Sequence, residues 1–131
     1  MATILIVDDR ASNREFLVTL LGYQGHRLVE ATDGAGALAL ARAELPALVI
    51  ADVLMPTMDG YEFVHQLRAD PAIARTPVIF YTAHYHEREA QNLARACGVA
   101  HLLTKPCEPA QVLRTVDAAL GLGTAPVSAP P

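Results

Sequence analysis

The sequence predicts an α/β fold in which a doubly wound parallel sheet carries helices on both faces. Short apolar runs alternate five times with segments of helical spacing along the 131 residues. Most of these runs are apolar without a break, which is typical of strands that are covered on both sides. Because crossovers between parallel strands are right-handed, the connecting helices then pack back onto the sheet.

Five short runs are the predicted strands. Four of them are apolar or aromatic throughout, and they are too short for buried helices. The run at residues 27–31 contains the charged Arg27 and Glu30, which indicates a strand at the edge of the sheet. In chain order, the predicted strands cover residues 4–7, 27–31, 48–50, 78–81 and 102–103.

The first predicted helix opens with a capping box, in which Ser12 and Glu15 satisfy each other's backbone N–H groups. Gly22 ends this helix, because glycine is a poor helix former and a common terminator. The side chains that recur on one face of the helix are predicted to be buried. They are Phe16, Leu17, Leu20 and Leu21.

Capping residues and helix breakers set the ends of the other four predicted helices. Asp33 precedes the second helix, and Pro46 ends it. The Gly34-Ala35-Gly36 stretch is predicted to start this helix, because it lacks the third glycine of a dinucleotide-binding loop. The remaining signals are Asp59 at the start of the third helix, Gly98 after a fourth helix at about residues 87–97, and Glu108-Pro109 at the start of the fifth.

Composition excludes several functions. The net charge is −4 and the ten Lys and Arg residues are scattered, which argues against direct binding of nucleic acid or an anionic membrane. Cys97 and Cys107 have no second pair, so we expect reduced thiols rather than disulfides or a zinc ribbon. The apolar run at residues 4–7 is too short for a signal peptide or a membrane span. We therefore expect a cytoplasmic protein.

Polar side chains follow four of the predicted strands. Because the carboxyl ends of parallel strands meet at one edge of the sheet, these side chains should converge where α/β proteins bind ligands. The converging residues are Asp8, Asp9, Asp52, Thr82, Thr104 and Lys105.

Three carboxylates crowded at that edge require a cation. Each pair of charges repels by about 4 kcal/mol at about 4 Å and an effective dielectric constant of about 20. Mg²⁺ suits oxygen ligands, and together with Lys105 and Thr82 it would suit a phosphoryl group. Asp52 is the best candidate nucleophile, because it is a single acid after a central strand, flanked by Val53 rather than another acid.

These motifs, in this order and spacing, resemble the receiver domain of a two-component response regulator of the chemotaxis-regulator type. The resemblance covers about residues 2–120 and implies a flavodoxin-like (βα)5 fold with strand order 2-1-3-4-5. The motifs that carry it are Asp8-Asp9, Asp52 within DVLMPTMDG, Thr82-Ala83 and Lys105-Pro106.

The resemblance implies that Asp52 accepts a phosphoryl group from the phosphohistidine of a sensor histidine kinase or phosphotransfer protein. It implies that Asp9 binds Mg²⁺ directly and Asp8 through water, with Asp52 and the backbone carbonyl of Leu54 as further ligands. Such a domain is not an enzyme toward other molecules, since it catalyses only its own phosphorylation and autodephosphorylation.

The resemblance also assigns the groups around the phosphoryl oxygens. Lys105 pairs with these oxygens, the Thr82 hydroxyl donates to them, and so does the Ala83 backbone N–H. The peptide bond before Pro106 is expected to be cis. Phosphorylation then switches a protein-binding surface made largely by the fourth helix, fifth strand and fifth helix.

One position departs from the family pattern. Leu102 stands three residues before Lys105, where receivers usually carry an aromatic residue that moves with the threonine. Tyr81 or Tyr85 could take over that movement. Tyr81 as part of the core and Tyr85 as a surface residue is the alternative.

Other functions remain open at this stage. A degenerate receiver would bind proteins without phosphoryl transfer, although the intact acids, threonine and lysine argue against it. A phosphatase of related fold needs a second acid two residues after its nucleophile, and Asp8-Asp9-Arg10 lacks that spacing. Flavin binding lacks a phosphate loop after the first strand. His84 and His86 could hold zinc only with a third ligand.

We divide the chain into a receiver domain over residues 1–120 and a flexible tail or linker over residues 121–131. The tail is rich in Gly, Ala and Pro and carries no charge. Either a stand-alone regulator or part of a longer protein fits this tail. The output would pass to a downstream protein or a fused effector domain, and a homodimer is possible.

Overall fold

The computed structural model describes residues 2–55, 58–83 and 87–121, and strands and helices alternate throughout. Each of the five predicted strand-helix pairs is present in this part of the chain. In order, the elements are β1 (Thr3–Val7), α1 (Ala11–Gly22), β2 (Arg27–Ala31), α2 (Gly34–Glu44), β3 (Leu48–Ala51), α3 (Gly60–Ala69), β4 (Val78–Ala83), α4 (Glu87–Ala96), β5 (His101–Lys105) and α5 (Pro109–Ala119).

The strands form one parallel sheet in the order β2-β1-β3-β4-β5. This order confirms the predicted fold and the predicted edge position of the charged strand at residues 27–31. Because β1 and β3 lie side by side near the middle, Val7 is level with Ala51. The residues that follow these two strands therefore emerge next to each other.

Side chains alternate between two hydrophobic cores, one on each face of the sheet. Helices α2, α3 and α4 cover the first face, where the largest buried side chains are Phe63 and Phe80. Helices α1 and α5 cover the second face, where Ile6, Leu17 and Leu103 are buried. Such two-sided coverage explains why the strand sequences are apolar without alternation.

The predicted capping box at the start of the first helix is wrong. Helix α1 begins one residue before Ser12, and its N-cap is Arg10, which makes no side-chain capping bond. The Arg10 backbone N–H instead donates to Asp8 Oδ1 at 2.9 Å. The end of the preceding strand therefore sets the start of the helix, and Ser12 lies inside its first turn.

Two of the four side chains predicted to be buried in α1 are only half-buried. Leu17 and Leu21 are buried, whereas Phe16 and Leu20 lie at the margin of the second core. Helix α1 packs over β1 and the edge strand β2. The sheet therefore covers only part of the apolar face of the helix.

Strands β4 and β5 extend further than their apolar runs. Thr82 and Ala83 are the last residues of β4, and Thr104 and Lys105 are the last residues of β5, rather than loop residues after them. Parallel pairing continues through Thr82 and Thr104 because backbone groups make these hydrogen bonds whatever the side chain is.

The end signals of the other helices are confirmed. The Asp33 carboxylate accepts from the Gly36 N–H at 2.8 Å, and the Asp59 carboxylate accepts from the Glu62 N–H at 2.9 Å. Helix α2 starts at Gly34, as predicted, and ends before Pro46. Gly98 follows α4 with a φ of 72°, a conformation that glycine adopts without strain.

Arg68, in the last turn of α3, holds together the base of the first face. Its guanidinium donates to the carbonyl oxygens of Thr76 at 2.6 Å and Ala74 at 3.0 Å, both in the segment before β4. It also donates to the carbonyl of Cys97 at 3.3 Å, just after α4. One side chain thus connects α3, the start of β4 and the end of α4.

None of the described residues belongs to a helix that is long and apolar enough to cross a membrane. Residues 122–131 of the predicted tail lie outside the described part, as do His84, Tyr85 and His86. Cys97 and Cys107 are half-buried free thiols.

We predict that Arg68→Met lowers the free energy of unfolding by about 1–3 kcal/mol, because partly buried carbonyl groups lose their donor. Urea unfolding followed by circular dichroism measures this change. Arg42→Met is the matched control, since Arg42 makes an exposed salt bridge with Asp70 at 2.8 Å, and its loss should cost less than about 1 kcal/mol. Equal losses in both variants would contradict the role of Arg68.

Candidate functional site

A cleft of about 380 Å³ opens at the carboxyl edge of the sheet. Most of the residues predicted to form the site line it, together with three residues from the start of α1. The lining residues are Asp9, Arg10, Ser12, Asn13, Asp52, Leu54, Thr82, Ala83 and Lys105. Asp8 lies beneath the cleft and is only 2% exposed.

The sheet itself places the three carboxylates. The Asp8 N–H donates to the carbonyl of Ala31, and the Asp52 N–H donates to the carbonyl of Val7, so both residues continue the parallel ladder. As a result, one carboxylate oxygen from each of Asp8, Asp9 and Asp52 lies within 4.8 Å of the others. This group is a set of oxygen ligands of the kind that Mg²⁺ prefers.

Lys105, at the end of the edge strand β5, forms ion pairs with two of these carboxylates. Its Nζ lies 3.0 Å from Asp8 Oδ2 and 3.3 Å from Asp52 Oδ2. The lysine side chain is 16% exposed, so solvent screens these ion pairs less than it would at the surface. One ammonium therefore offsets part of the repulsion between two buried acids.

The start of α1 holds Asp8 in place, which the sequence reasoning missed. Asn13 Nδ2 donates to Asp8 Oδ1 at 3.3 Å, and the Arg10 N–H donates to the same oxygen. Arg14 Nη1 donates to the Asp8 backbone carbonyl at 2.8 Å, while its Nε pairs with Glu30. The signal available in the sequence was the position of Asn13 and Arg14 in the turn that follows the Asp8-Asp9 pair.

Asp52 is held less firmly. Its Oδ1 accepts a long hydrogen bond of 3.3 Å from the Leu54 N–H, and its Oδ2 faces Lys105. Burial raises the pKa of Asp52 above its ordinary value. The positive charge of Lys105 opposes this rise, whereas the negative charge of Asp8 adds to it. Asp52 is thus a crowded carboxylate, and Lys105 offsets only part of the cost of its negative charge.

Thr82 presents a hydroxyl group without a partner. Its side chain is fully buried, and Oγ1 is the one buried side-chain nitrogen or oxygen atom of the described residues that makes no hydrogen bond. Buried hydroxyls are nearly always paired, so an unpaired one that lines an acidic cleft indicates a missing acceptor. The adjacent Ala83 lines the same cleft at the end of β4.

Gly60 allows α3 to approach the strand that carries Asp52. A Cβ atom at this position would lie 2.5 Å from the Asp52 carbonyl oxygen and 2.9 Å from the Val53 Cα. The Gly60 N–H donates to the Val53 carbonyl at 2.7 Å. This close contact fixes the backbone from the Asp52 carbonyl to Val53, immediately after the Asp52 carboxylate.

The peptide bond between Lys105 and Pro106 is cis, which is the geometry that the family resemblance implies. Leu54 lines the cleft with its side chain 48% exposed. Pro56 and the pair His84 and His86 lie outside the described residues, so the zinc hypothesis for the two histidines stays untested.

The family model described as "Response regulator receiver domain" matches residues 4–117. The chain belongs to the response regulator receiver family. Receiver domains accept phosphoryl groups in two-component signalling, and this is the standard role of the family. The match includes every residue that the sequence analysis placed at the site.

Individual receiver domains resemble the chain over nearly its whole length. Protein PilH of Pseudomonas aeruginosa is 35% identical over 120 residues, which are 92% of this chain and 98% of PilH. The chemotaxis response regulator CheY4 of Vibrio cholerae superposes with a TM-score of 0.84 at 34% identity, covering 91% of this chain and 98% of CheY4.

A second similar structure contains a metal. The receiver domain of the sensor histidine kinase PA1611 of Pseudomonas aeruginosa, at 26% identity and a TM-score of 0.83, has a magnesium ion coordinated in its active-site cleft. The alignment covers 92% of this chain and 98% of the PA1611 receiver domain.

We predict that Gly60→Ala destabilises this receiver by about 1–3 kcal/mol, because the new methyl group overlaps the Asp52 backbone. Thermal unfolding followed by circular dichroism measures the loss. Gly22→Ala is the matched control, since a Cβ at Gly22 meets no atom within 4 Å, and it should be neutral or slightly stabilising. A stable Gly60→Ala protein would contradict the close contact.

We predict that Asp52→Asn raises the melting temperature by about 3 °C at pH 7 in a chelating buffer. Since folding raises the Asp52 pKa, the wild type loses stability as pH rises from about 3.8 through the folded-state pKa, and asparagine does not. The advantage of Asn should therefore shrink on acidification and vanish below the unfolded value.

Asp70→Asn serves as the control, because the pKa of Asp70 is shifted in the opposite direction to that of Asp52. A hydrogen bond from Arg42 lowers the Asp70 pKa, so its contribution is present above the unfolded value and is lost as pH falls. Asp70→Asn should be slightly less stable than wild type at pH 7. If Asp52→Asn were destabilising across the pH range, the proposed crowding of Asp52 would be wrong.

Proposed function

We propose that Asp52 is the residue that accepts the phosphoryl group in this receiver domain. The observation that carries the proposal is one cleft that combines a weakly held carboxylate, an ammonium 3.3 Å from it and a buried, unpaired hydroxyl. Asp8 is a poorer nucleophile, because three donors occupy its two oxygens and it does not line the cleft. Asp9 is exposed, and Lys105 forms its ion pairs with Asp8 and Asp52 instead.

The reaction is a transfer between two nucleophiles. An oxygen of the Asp52 carboxylate attacks the phosphorus of a phosphohistidine on a histidine kinase or phosphotransfer protein. The P–O bond to Asp52 forms, the P–N bond breaks, and the imidazole keeps that electron pair. Hydrolysis of the acyl phosphate by water later regenerates the carboxylate.

Lys105, Thr82 and Ala83 would stabilise the transferred group. The charge of the transition state is spread over the equatorial oxygens, which need cationic groups and donors rather than covalent chemistry. The Lys105 ammonium already lies beside the acceptor oxygen, and the Thr82 hydroxyl would gain the acceptor that it lacks. The Ala83 N–H would supply the third donor.

The acidic cluster fits a magnesium ion. We propose that Asp8, Asp9 and Asp52 hold it together with the backbone carbonyl of Leu54, and that Asp8 acts through water. Three carboxylates within 4.8 Å with one lysine leave negative charge uncompensated, which supports the proposal. When bound, Mg²⁺ would neutralise charge on the carboxylates and on the phosphoryl oxygens.

Phosphorylation would switch the surface formed by α4, β5 and α5. The added group brings about −1.5 to −2 charges, and these attract Lys105 and the Thr82 hydroxyl toward Asp52. Leu102 lies half-buried beside α4, so the aromatic movement usual in the family has no counterpart at this position. We propose that β4 itself transmits the pull on Thr82 to α4.

Several narrower statements stay predictions. They are autocatalysis limited to its own phosphorylation, a downstream protein or fused effector as the output, a homodimer, and a cytoplasmic location. The absence of nucleic acid or membrane among its partners is predicted from charge alone. The division into residues 1–120 and 121–131 also stays a prediction.

We predict that incubation with acetyl phosphate and Mg²⁺ adds one phosphoryl group, as measured by the mass of the intact protein. The adduct should be absent without Mg²⁺ and absent in Asp52→Asn, because the nucleophile is lost. Asp117→Asn, an acid on α5 that does not line the cleft, should be modified like wild type. An adduct that persists in Asp52→Asn would overturn the assignment, and no adduct with any donor would favour a degenerate receiver.

A further inference from the structure

Tyr81 lies directly beneath the ammonium group of Lys105. The Lys105 Nζ is 5.3 Å from the centroid of the Tyr81 ring, a distance at which the ring face attracts a cation. Tyr81 is 5% exposed and belongs to the second core, which confirms its interpretation as a core residue. In the sheet it pairs with Leu103, two residues before Lys105, so Tyr81 and Lys105 lie on the same face of the sheet.

We propose that Tyr81 is a positioning residue that holds the Lys105 ammonium against the acceptor carboxylate. This inference rests on the proposed role of Lys105 in phosphoryl transfer. Asp8 and Asp52 contact the ammonium through Oδ2 atoms at 3.0 and 3.3 Å, and the Tyr81 ring centroid lies 5.3 Å from the same Nζ. The ring and the two carboxylates together leave the lysine little freedom.

The Tyr81 ring would counter the preference of the Lys105 ammonium for Asp8. The Nζ is nearer to Asp8 than to Asp52, and Asp8 is immobilised by the start of α1. Without a second support, the flexible lysine side chain would settle on Asp8 and leave Asp52. A fixed ring face keeps the ammonium within reach of both carboxylates, and so within reach of a group bound to Asp52.

The phenol stays neutral over the range in which this chemistry operates. Burial raises the pKa of Tyr81 to about 12, with the charges of Cys107 and Asp8 as smaller causes. The interaction therefore depends on the face of the ring rather than on the hydroxyl group. Phenylalanine would preserve the interaction, whereas leucine would fill the core without it.

The test compares Tyr81→Phe and Tyr81→Leu in the full chain. We measure the rate of phosphorylation by acetyl phosphate with Mg²⁺ from the mass of the intact protein. Tyr81→Leu should react about tenfold more slowly than wild type, and Tyr81→Phe should stay within about twofold. Phe80→Leu is the control for loss of an equally buried ring, because Phe80 faces the first core, and its rate should match wild type.

A double-mutant cycle separates positioning from packing. In a Lys105→Met background, Tyr81→Leu and Tyr81→Phe should react at the same residual rate, because no ammonium remains to be held. If Tyr81→Leu slows the reaction equally in both backgrounds, the ring is only a core residue and the proposal fails. It fails also if Tyr81→Phe is as slow as Tyr81→Leu.

A second readout does not depend on phosphorylation. In nuclear magnetic resonance spectra, the ring should shift the Lys105 Cε proton signals upfield in wild type and Tyr81→Phe, and the shift should vanish in Tyr81→Leu. Its absence in wild type would overturn the proposal. If the shift is present and wild type takes up no phosphoryl group, the contact stands, but the proposed function and the role of Tyr81 in it both fail.

Discussion

The ion pairs that Lys105 makes with Asp8 and Asp52 are the contacts on which the rest of the site depends. The three residues come from the ends of β1, β3 and β5, and the central strands place the two acids side by side. Without a cation between them, two carboxylates at this separation would repel each other strongly. Lys105 therefore makes it possible for the sheet to present two adjacent acids at its edge.

The surroundings of the two acids differ, and this difference supports separate roles for them in the proposed function. Asp8 accepts hydrogen bonds from Arg10, Asn13 and Lys105, which fix the position of its carboxylate. Among the described residues, Asp52 accepts only a long hydrogen bond from the Leu54 N–H besides its contact with Lys105, and it lines the cleft. A carboxylate with more free lone pairs is better suited to attack phosphorus, whereas one that several donors hold in place is better suited to orient a cation.

Local signals in the sequence predicted the elements well where a single physical cause decides them. Asp33 and Asp59 cap their helices as expected, because an acceptor before a helix satisfies its free N–H groups. The capping box at Ser12 failed, because the Asp8 carboxylate accepts from the backbone N–H of the N-cap residue Arg10 and the helix begins at Ala11. Strand ends at Ala83 and Lys105 were missed because side-chain polarity does not limit backbone pairing.

The alternation of strands and helices, the edge at which the polar residues meet, and the charged groups at that edge can all be deduced from the amino-acid sequence. Apolar runs and end signals depend on neighbours within a few residues, so they can be read along the chain. The folded structure was needed to show which carboxylate three donors hold, which hydroxyl of the described residues is unpaired, and that the Tyr81 ring lies under Lys105. Those facts depend on side chains that are far apart in sequence and on their directions in space, which no local pattern encodes.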